Sequence, residues 1–302
     1  MAIGAHWDLL PQEARKALAG LSLRPRLLAE GRVAGLHPSS HPGQSLEFSD
    51  LKGYAFGDDP KGIDWKVLAR TDKLYVRRYM DETNLTALLL LDASASMDQP
   101  DGASKYRHAS SMLAGLAYVL LQQGDEVGVA VIHERRTRFC PPRAVPSHLD
   151  EILGAMWAVH PSGRTVLEHR IDETLARMRK KGLIVVASDL LCNWEPVVGA
   201  LGGMASRGNT VVLLHVLSEA ERTFPYVGSV VFRSMESGES ALLDTRGLRK
   251  KYLDAMTAFA GRIRQACLDA RVFYHMVEMG QAPHLGAADV IRTAGGSRSR
   301  RV

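Results

Sequence analysis

Five side chains with hard oxygen donors stand where one cation can use them: Asp92, Ser94 and Ser96 in Asp92-Ala93-Ser94-Ala95-Ser96, Thr165 at the end of Pro161-Ser162-Gly163-Arg164-Thr165, and Asp189 after an apolar run. Spacing of two along an extended or gently turning segment points Asp92, Ser94 and Ser96 the same way. They offer one carboxylate and two hydroxyls, to which Thr165 adds a third hydroxyl and Asp189 a second carboxylate. Such donors suit magnesium, manganese or calcium. The two carboxylates offset a double charge, and few protein ligands with waters completing an octahedron favour Mg2+. Taken singly, an Asp or Ser after a strand also suits a helix N-cap, and Asp92 and Asp189 then only cap helices at the sheet edge.

The same residues make poor catalysts. No G-x-S-x-G elbow surrounds Ser94 or Ser96. No G-x-x-x-x-G-K-[ST] is present, so the chain is not itself a P-loop ATPase. The DxDx start of a phosphoaspartyl phosphatase needs an acid where Ser94 stands. None of the 11 histidines lies in a motif that marks a base, and His133 reads as a strand-end residue. No catalytic residue is therefore expected; the enzyme alternative is a metal-dependent phosphohydrolase.

The elements that must position these residues follow from periodicity. Leu85–Asp92, Glu126–His133, Gly182–Asp189, Asn209–Leu217 and Arg271–Glu278 read as strands, the most apolar of them as strands buried on both faces. Lys105–Gln123, Leu149–Val159, Leu167–Lys180, Trp194–Ser206 and Thr245–Ala270 read as helices, with Gly124 as a stop after the first. Leu248, Tyr252, Met256, Phe259, Ile263 and Cys267 form a core-packing stripe on the last. Arg136–Cys140 reads as a hairpin partner and Val227–Arg233 as a further strand. This alternation predicts a Rossmann-like, doubly wound, mostly parallel α/β sheet, whose ligands bind beyond the carboxyl ends of the strands.

Before residue 80 the pattern is less regular. Residues 7–29 read as one or two short helices with Pro11 in a first turn, 31–60 as loop with short extended pieces such as Ser45–Phe48, and 73–80 as a strand. In Gly57-Asp58-Asp59-Pro60-Lys61-Gly62-Ile63-Asp64-Trp65, the glycine and proline suggest a turn, with Trp65 as a packing anchor and Arg70 as a partner for Asp64. Three parts are expected: an N-terminal extension (1–80), the α/β domain (81–285) and a basic tail (286–302).

Composition narrows the class. Hydrophobic residues make up 46% and charged residues 24%, which is ordinary for a globular protein. The net charge is +5, and Arg292, Arg298, Arg300 and Arg301 fall in the last eleven residues with no acidic residue among them. With no aromatic-rich basic stripe, nucleic-acid binding is not expected. Cys140, Cys192 and Cys267 lack the spacing of a disulfide framework or zinc site. No signal peptide is visible, and no apolar run approaches the roughly 20 residues of a membrane span. A soluble, cytoplasmic protein is expected.

Asp92-Ala93-Ser94-Ala95-Ser96, Thr165 and Asp189 together resemble the metal-ion-dependent adhesion site of von Willebrand factor A domains. That resemblance implies a metal held directly or through water by Asp92, Ser94, Ser96, Thr165 and Asp189, with one position open for an acidic side chain of a partner. Arg164 departs from the pattern, since many relatives carry a small residue before the threonine. The GDDPxxIDW stretch, Ala69-Arg70-Thr71, Leu74-Tyr75-Val76 and the earlier His41-Pro42-Gly43-Gln44-Ser45-Leu46-Glu47-Phe48 are similar to the signature of the bacterial "domain of unknown function fifty-eight" family, over about residues 25–280. This resemblance implies a chaperone-like adaptor for a MoxR-type AAA+ ATPase or its client. Many relatives carry membrane helices ahead of this segment, and the chain is expected to be of the short soluble kind.

Overall fold

The computed structural model describes residues 4–23, 47–55, 60, 63–80, 85–98, 104–178, 180–233 and 239–295. The chain forms two compact units, residues 34–84 on their own and residues 1–33 together with 85–302. The first helical turns thus group with the α/β part, not with the rest of the stretch expected as an N-terminal extension.

The larger unit is built on a six-stranded sheet. Its strands are β3 (Thr86–Asp92), β4 (Glu126–Ile132), β5 (Thr137–Arg143), β6 (Gly182–Ser188), β7 (Thr210–Leu217) and β10 (Phe273–Glu278), in the order β10-β7-β6-β3-β4-β5. All neighbours are parallel except β5, which returns antiparallel to β4 as the expected hairpin partner. This is the mostly parallel α/β architecture that the alternation of apolar runs and amphipathic segments predicts.

Period-two alternation splits each strand between two cores. Ala87, Leu89 and Leu91 of β3 face a core made with the helices Lys105–Gln122, His148–Trp157 and Pro283–Gly295 and with the N-terminal turns Ala5–Leu9 and Gln12–Leu18. Leu88 and Leu90 face the opposite core, made with Leu167–Leu175, Trp194–Ser206 and the far half of Thr245–Asp269. A strand covered on both faces is apolar at nearly every position, which is why β3, β6 and β7 are largely hydrophobic runs, with the buried His215 of β7 satisfied by hydrogen bonds. On the long helix the expected stripe is buried at Ile263 and Cys267; Leu248, Tyr252, Met256 and Phe259 are only half-buried.

Several elements fall outside the sequence reading. Pro283–Gly295 is a helix whose Ala287, Val290 and Ile291 are buried, so the stretch expected as a tail starts inside packed structure; residues 296–302 lie outside the described residues. The Leu167 helix stops at Leu175. A short helix, Glu219–Thr223, follows β7 and is closed by a capping box between Ser218 and Glu221. The strand expected near Val227–Arg233 is β8 (Ser229–Arg233), and it pairs antiparallel with β9 (Ser240–Asp244).

In the smaller unit, β1 (Glu47–Gly53) pairs antiparallel with β2 (Tyr75–Met80). Of the GDDPxxIDW segment, only Pro60 and Ile63–Trp65 are described. Ile63 bridges to Val76, and the Asp64 carboxylate accepts from the amides of Lys66 and Val67, capping the helix Trp65–Thr71. Trp65 is not a packing anchor: it opens that helix with its side chain 64% exposed. The expected extended piece Ser45–Phe48 is described only from Glu47 onward, and residues 41–46 lie outside the described residues.

Candidate functional site

The strand order fixes where a ligand should sit. From β3 the chain moves to β4 on one side and later to β6 on the other, so β3 and β6 flank the point where the winding reverses, the usual ligand crevice of an open α/β sheet. Asp92 is the last residue of β3, and Asp189 directly follows β6. Leu91 pairs with Ala187, so the next residues, Asp92 and Ser188, lie side by side.

Both oxygens of the buried Asp92 carboxylate are engaged. The Ser188 hydroxyl donates to Oδ2 at 2.7 Å, and the Ser94 amide donates to Oδ1 at 3.0 Å. Ser94 Oγ and Ser96 Oγ share a hydrogen bond at 3.1 Å. The Thr165 loop is stitched to this turn through its backbone: Ala95 N donates to Gly163 O at 3.0 Å and Ser162 N to Ala93 O at 3.1 Å. Gly163 is required there, because its φ of +76° is the left-handed region and a Cβ would meet the Glu134 carboxylate. Thr165 is half-buried just before the Leu167 helix, while Arg164 is exposed to solvent.

Asp189 is fully buried, and its carboxylate is also occupied. Oδ1 accepts from the Leu191 amide at 3.1 Å, and Oδ2 accepts from the Lys105 ammonium at 2.7 Å. Lys105 is fully buried too and donates to Glu221 Oε1 at 2.7 Å. The other oxygen of Glu221 accepts from the Ser218 amide at 2.8 Å, so one side chain caps the short helix and anchors the lysine. Asp92 and Asp189 cap neither long helix beside them: Ser104 is the N-cap of Lys105–Gln122, and Asn193 precedes Trp194–Ser206.

Electrostatics bear out the crowding. Burial, and then the charge of Asp189, push the Asp92 pKa up to about 7, against the lowering effect of the Ser188 and Ser94 hydrogen bonds. Burial works against the Lys105 ammonium, but Asp189 and Glu221 more than offset it, and its pKa rises. The Cys192 thiol is pushed up by burial and then by the charges of Glu168, Asp92 and Asp189. His215 supports the rim from below. The Asp189 carbonyl can only accept, so His215 Nε2 carries the proton at 3.1 Å and Nδ1 accepts from the Tyr274 hydroxyl at 2.8 Å. Burial lowers the His215 pKa to about 4 and keeps it neutral.

All five expected residues therefore lie at one rim of the sheet. Asp92, Ser94 and Ser96 are joined in one turn, Thr165 is on the loop bonded to that turn, and Asp189 is on the adjacent strand end. Among the described residues no group of three or more His, Cys, Asp or Glu side chains is disposed to hold a metal, so a cation here depends on the hydroxyls as well as the two carboxylates. A hard ion fits this donor chemistry, and its charge would offset the burial and the Asp189 repulsion that raise the Asp92 pKa. The sequence reading missed Ser188, Lys105, Glu221 and His215. Ser188 was legible as the polar end of an apolar strand; Lys105 looks like an ordinary first residue of an amphipathic helix.

The chain is similar to known proteins over most of its length. It is 29% identical to an uncharacterized protein of Mycobacterium bovis over 237 residues, 76% of this chain and 74% of that protein, and equally to an uncharacterized protein of Mycobacterium tuberculosis. Among solved structures it is similar to the conserved hypothetical protein BatB from Bacteroides thetaiotaomicron, at 17% identity with a TM-score of 0.47, covering 71% of this chain and all of that one. It is also similar to the SpRpn10 VWA domain, at 12% identity with a TM-score of 0.41, covering 68% of this chain and 95% of that one. The model of the family described as "protein of unknown function DUF58" matches residues 50–260, more than half of the chain, and the chain belongs to that family.

Proposed function

We propose that this chain is a non-enzymatic protein-interaction module that holds a divalent cation at Asp92, Ser94, Ser96, Thr165 and Asp189 and uses it to bind an acidic side chain of a partner protein. The ion is Mg2+ in this reading, with Mn2+ or Ca2+ able to replace it. One observation carries the reading. The two strand ends at the reversal of the sheet bring Asp92 and Asp189 to the same rim, where the Ser94 and Ser96 hydroxyls lie 3.1 Å apart beside the Thr165 loop. The bound ion would supply a Lewis-acidic centre with room for an external carboxylate, while the chain's own residues hold it and fix its position. The partner is a MoxR-type AAA+ ATPase or its client, met in the cytoplasm. Among the described residues no helix is long and apolar enough to cross a membrane.

The experiment is a thermal melt of the full chain with Mg2+ and with chelator. An ion that binds only the folded state stabilises by about 2.7 kcal/mol at a hundredfold excess over Kd. The wild type is expected to gain stability with Mg2+, and Asp92→Ala is expected to lose that gain. A melting response that is the same in wild type and variant overturns the cation. Capture of a purified MoxR-type ATPase with Mg2+ and its release by chelator tests the partner. Turnover of a generic phosphate ester would move the chain to the metal-dependent phosphohydrolases.

A further inference from the structure

Lys105 is the one feature of the rim that a plain cation site does not need. Its ammonium is fully buried between two carboxylates, Asp189 Oδ2 and Glu221 Oε1, each at 2.7 Å. Asp189 is thus already paired with a positive charge before any ion arrives. Glu221 divides that charge. It holds the same ammonium from the short helix Glu219–Thr223, so the lysine compensates Asp189 only in part.

We propose, resting on the cation reading above, that Lys105 is a positioning residue that sets the affinity of this site: through Asp189 it supplies a resident positive charge that weakens divalent-ion binding, and Glu221 sets how strongly Asp189 feels it. The arrangement keeps Asp189 compensated in the ion-free protein, where an unpaired buried carboxylate would be strongly destabilising. It also makes the ion exchangeable. A partner carboxylate brings the negative charge that Lys105 has offset, so ion and partner hold each other in place, and each raises the affinity for the other by the same factor.

A purely structural lysine and a charge-setting lysine differ in sign. The test is Mn2+ binding to the full chain, read from the paramagnetic resonance of the free ion, with circular dichroism as the check on folding. Glu221→Gln keeps the cap on the Ser218 amide but leaves the ammonium wholly on Asp189, and Mn2+ binding is expected to weaken about threefold or more. Lys105→Met with Glu221→Gln removes both charges without leaving either alone, frees Asp189, and is expected to tighten binding about tenfold, the scale of one close charge at an intermediate dielectric. A structural role predicts unchanged binding in Glu221→Gln, which keeps the cap, and weaker or unchanged binding in the double variant; either result overturns the proposal. Where the double variant does not fold, Glu221→Gln decides alone, and unchanged affinity overturns. Binding by the double variant but not by the wild type supports the proposal. Absence of binding in the wild type, in Asp92→Ala and in the double variant removes the cation reading itself, and this inference with it; a wild type that binds while the variants show no opposite shifts removes the inference alone.

Discussion

Two segments of this chain are almost the same sequence with opposite fates. Thr86–Asp92 reads TALLLLD and forms β3, buried at every position; Ser240–Asp244 reads SALLD and forms β9, exposed at every position. Residue type does not separate them; their neighbours do. β3 has a parallel partner on each edge and helices over each face. β9 has one partner, β8, and the facing pair Val231 and Leu242 is 62% and 69% exposed. Each strand ends in an aspartate, and the contrast carries over. Asp92 is enclosed by Ser188, Ser94 and a second carboxylate, whereas Asp244 caps the Thr245–Asp269 helix at the surface and pairs with Arg246. A strand end acquires chemistry when burial removes water as the partner of its carboxylate.

The largest expected difference lies between those two aspartates. Asp92 titrates at about 7 in the folded protein, mainly through burial, and at about 3.9 in an unfolded chain. Between these values the folded state holds a proton that the unfolded state has released, so ion-free stability falls as pH rises from about 4 to about 7, by on the order of 4 kcal/mol. Urea melts in chelator at pH 5 and pH 8 measure the slope. Asp92→Asn is expected to flatten it and Asp244→Asn to leave it in place; equal slopes in wild type and Asp92→Asn would remove the contrast. Next in size, Leu90→Ala opens a cavity in the core that β3 shares with the Leu167 and Trp194 helices and is expected to lower stability by about 3 kcal/mol in the same melts.

How much of this was legible in the sequence follows from the same contrast. The largely apolar runs of β3, β6 and β7 announced strands covered on both faces, and the rule that ligands bind beyond strand ends then pointed to Asp92 and Asp189. The oxygen set was legible because its members follow elements of recognisable type. Lys105 was not, because its partners lie 84 and 116 residues away and nothing near it in sequence marks it as buried. The helix Pro283–Gly295 is hard to read because most of its buried residues are small, Gly286, Ala287, Ala288 and Ala294, with only Val290 and Ile291 as larger apolar side chains. Trp65 departs in the other direction: an aromatic of the type that anchors a turn lies at an exposed helix start. Periodicity reports which side of an element is apolar, and it is silent on what covers that side.

The smaller expected effects probe the surface member of the comparison. Asp244→Ala removes the side-chain cap from the Thr245–Asp269 helix and is expected to lower stability by about 1 kcal/mol. Leu242→Ala is the sharpest test, since Leu242 and Leu90 are the same residue type in nearly the same local sequence. Leu242 meets Val231 across the hairpin with both side chains open to water, so truncating it gives up one cross-strand contact and no enclosed volume. The expected loss is below about 0.5 kcal/mol, within the range of ordinary surface substitutions. A loss approaching that of Leu90→Ala would mean that the face carrying Val231 and Leu242 is enclosed in solution, and the two segments would then differ in which surface covers them and not in whether one does.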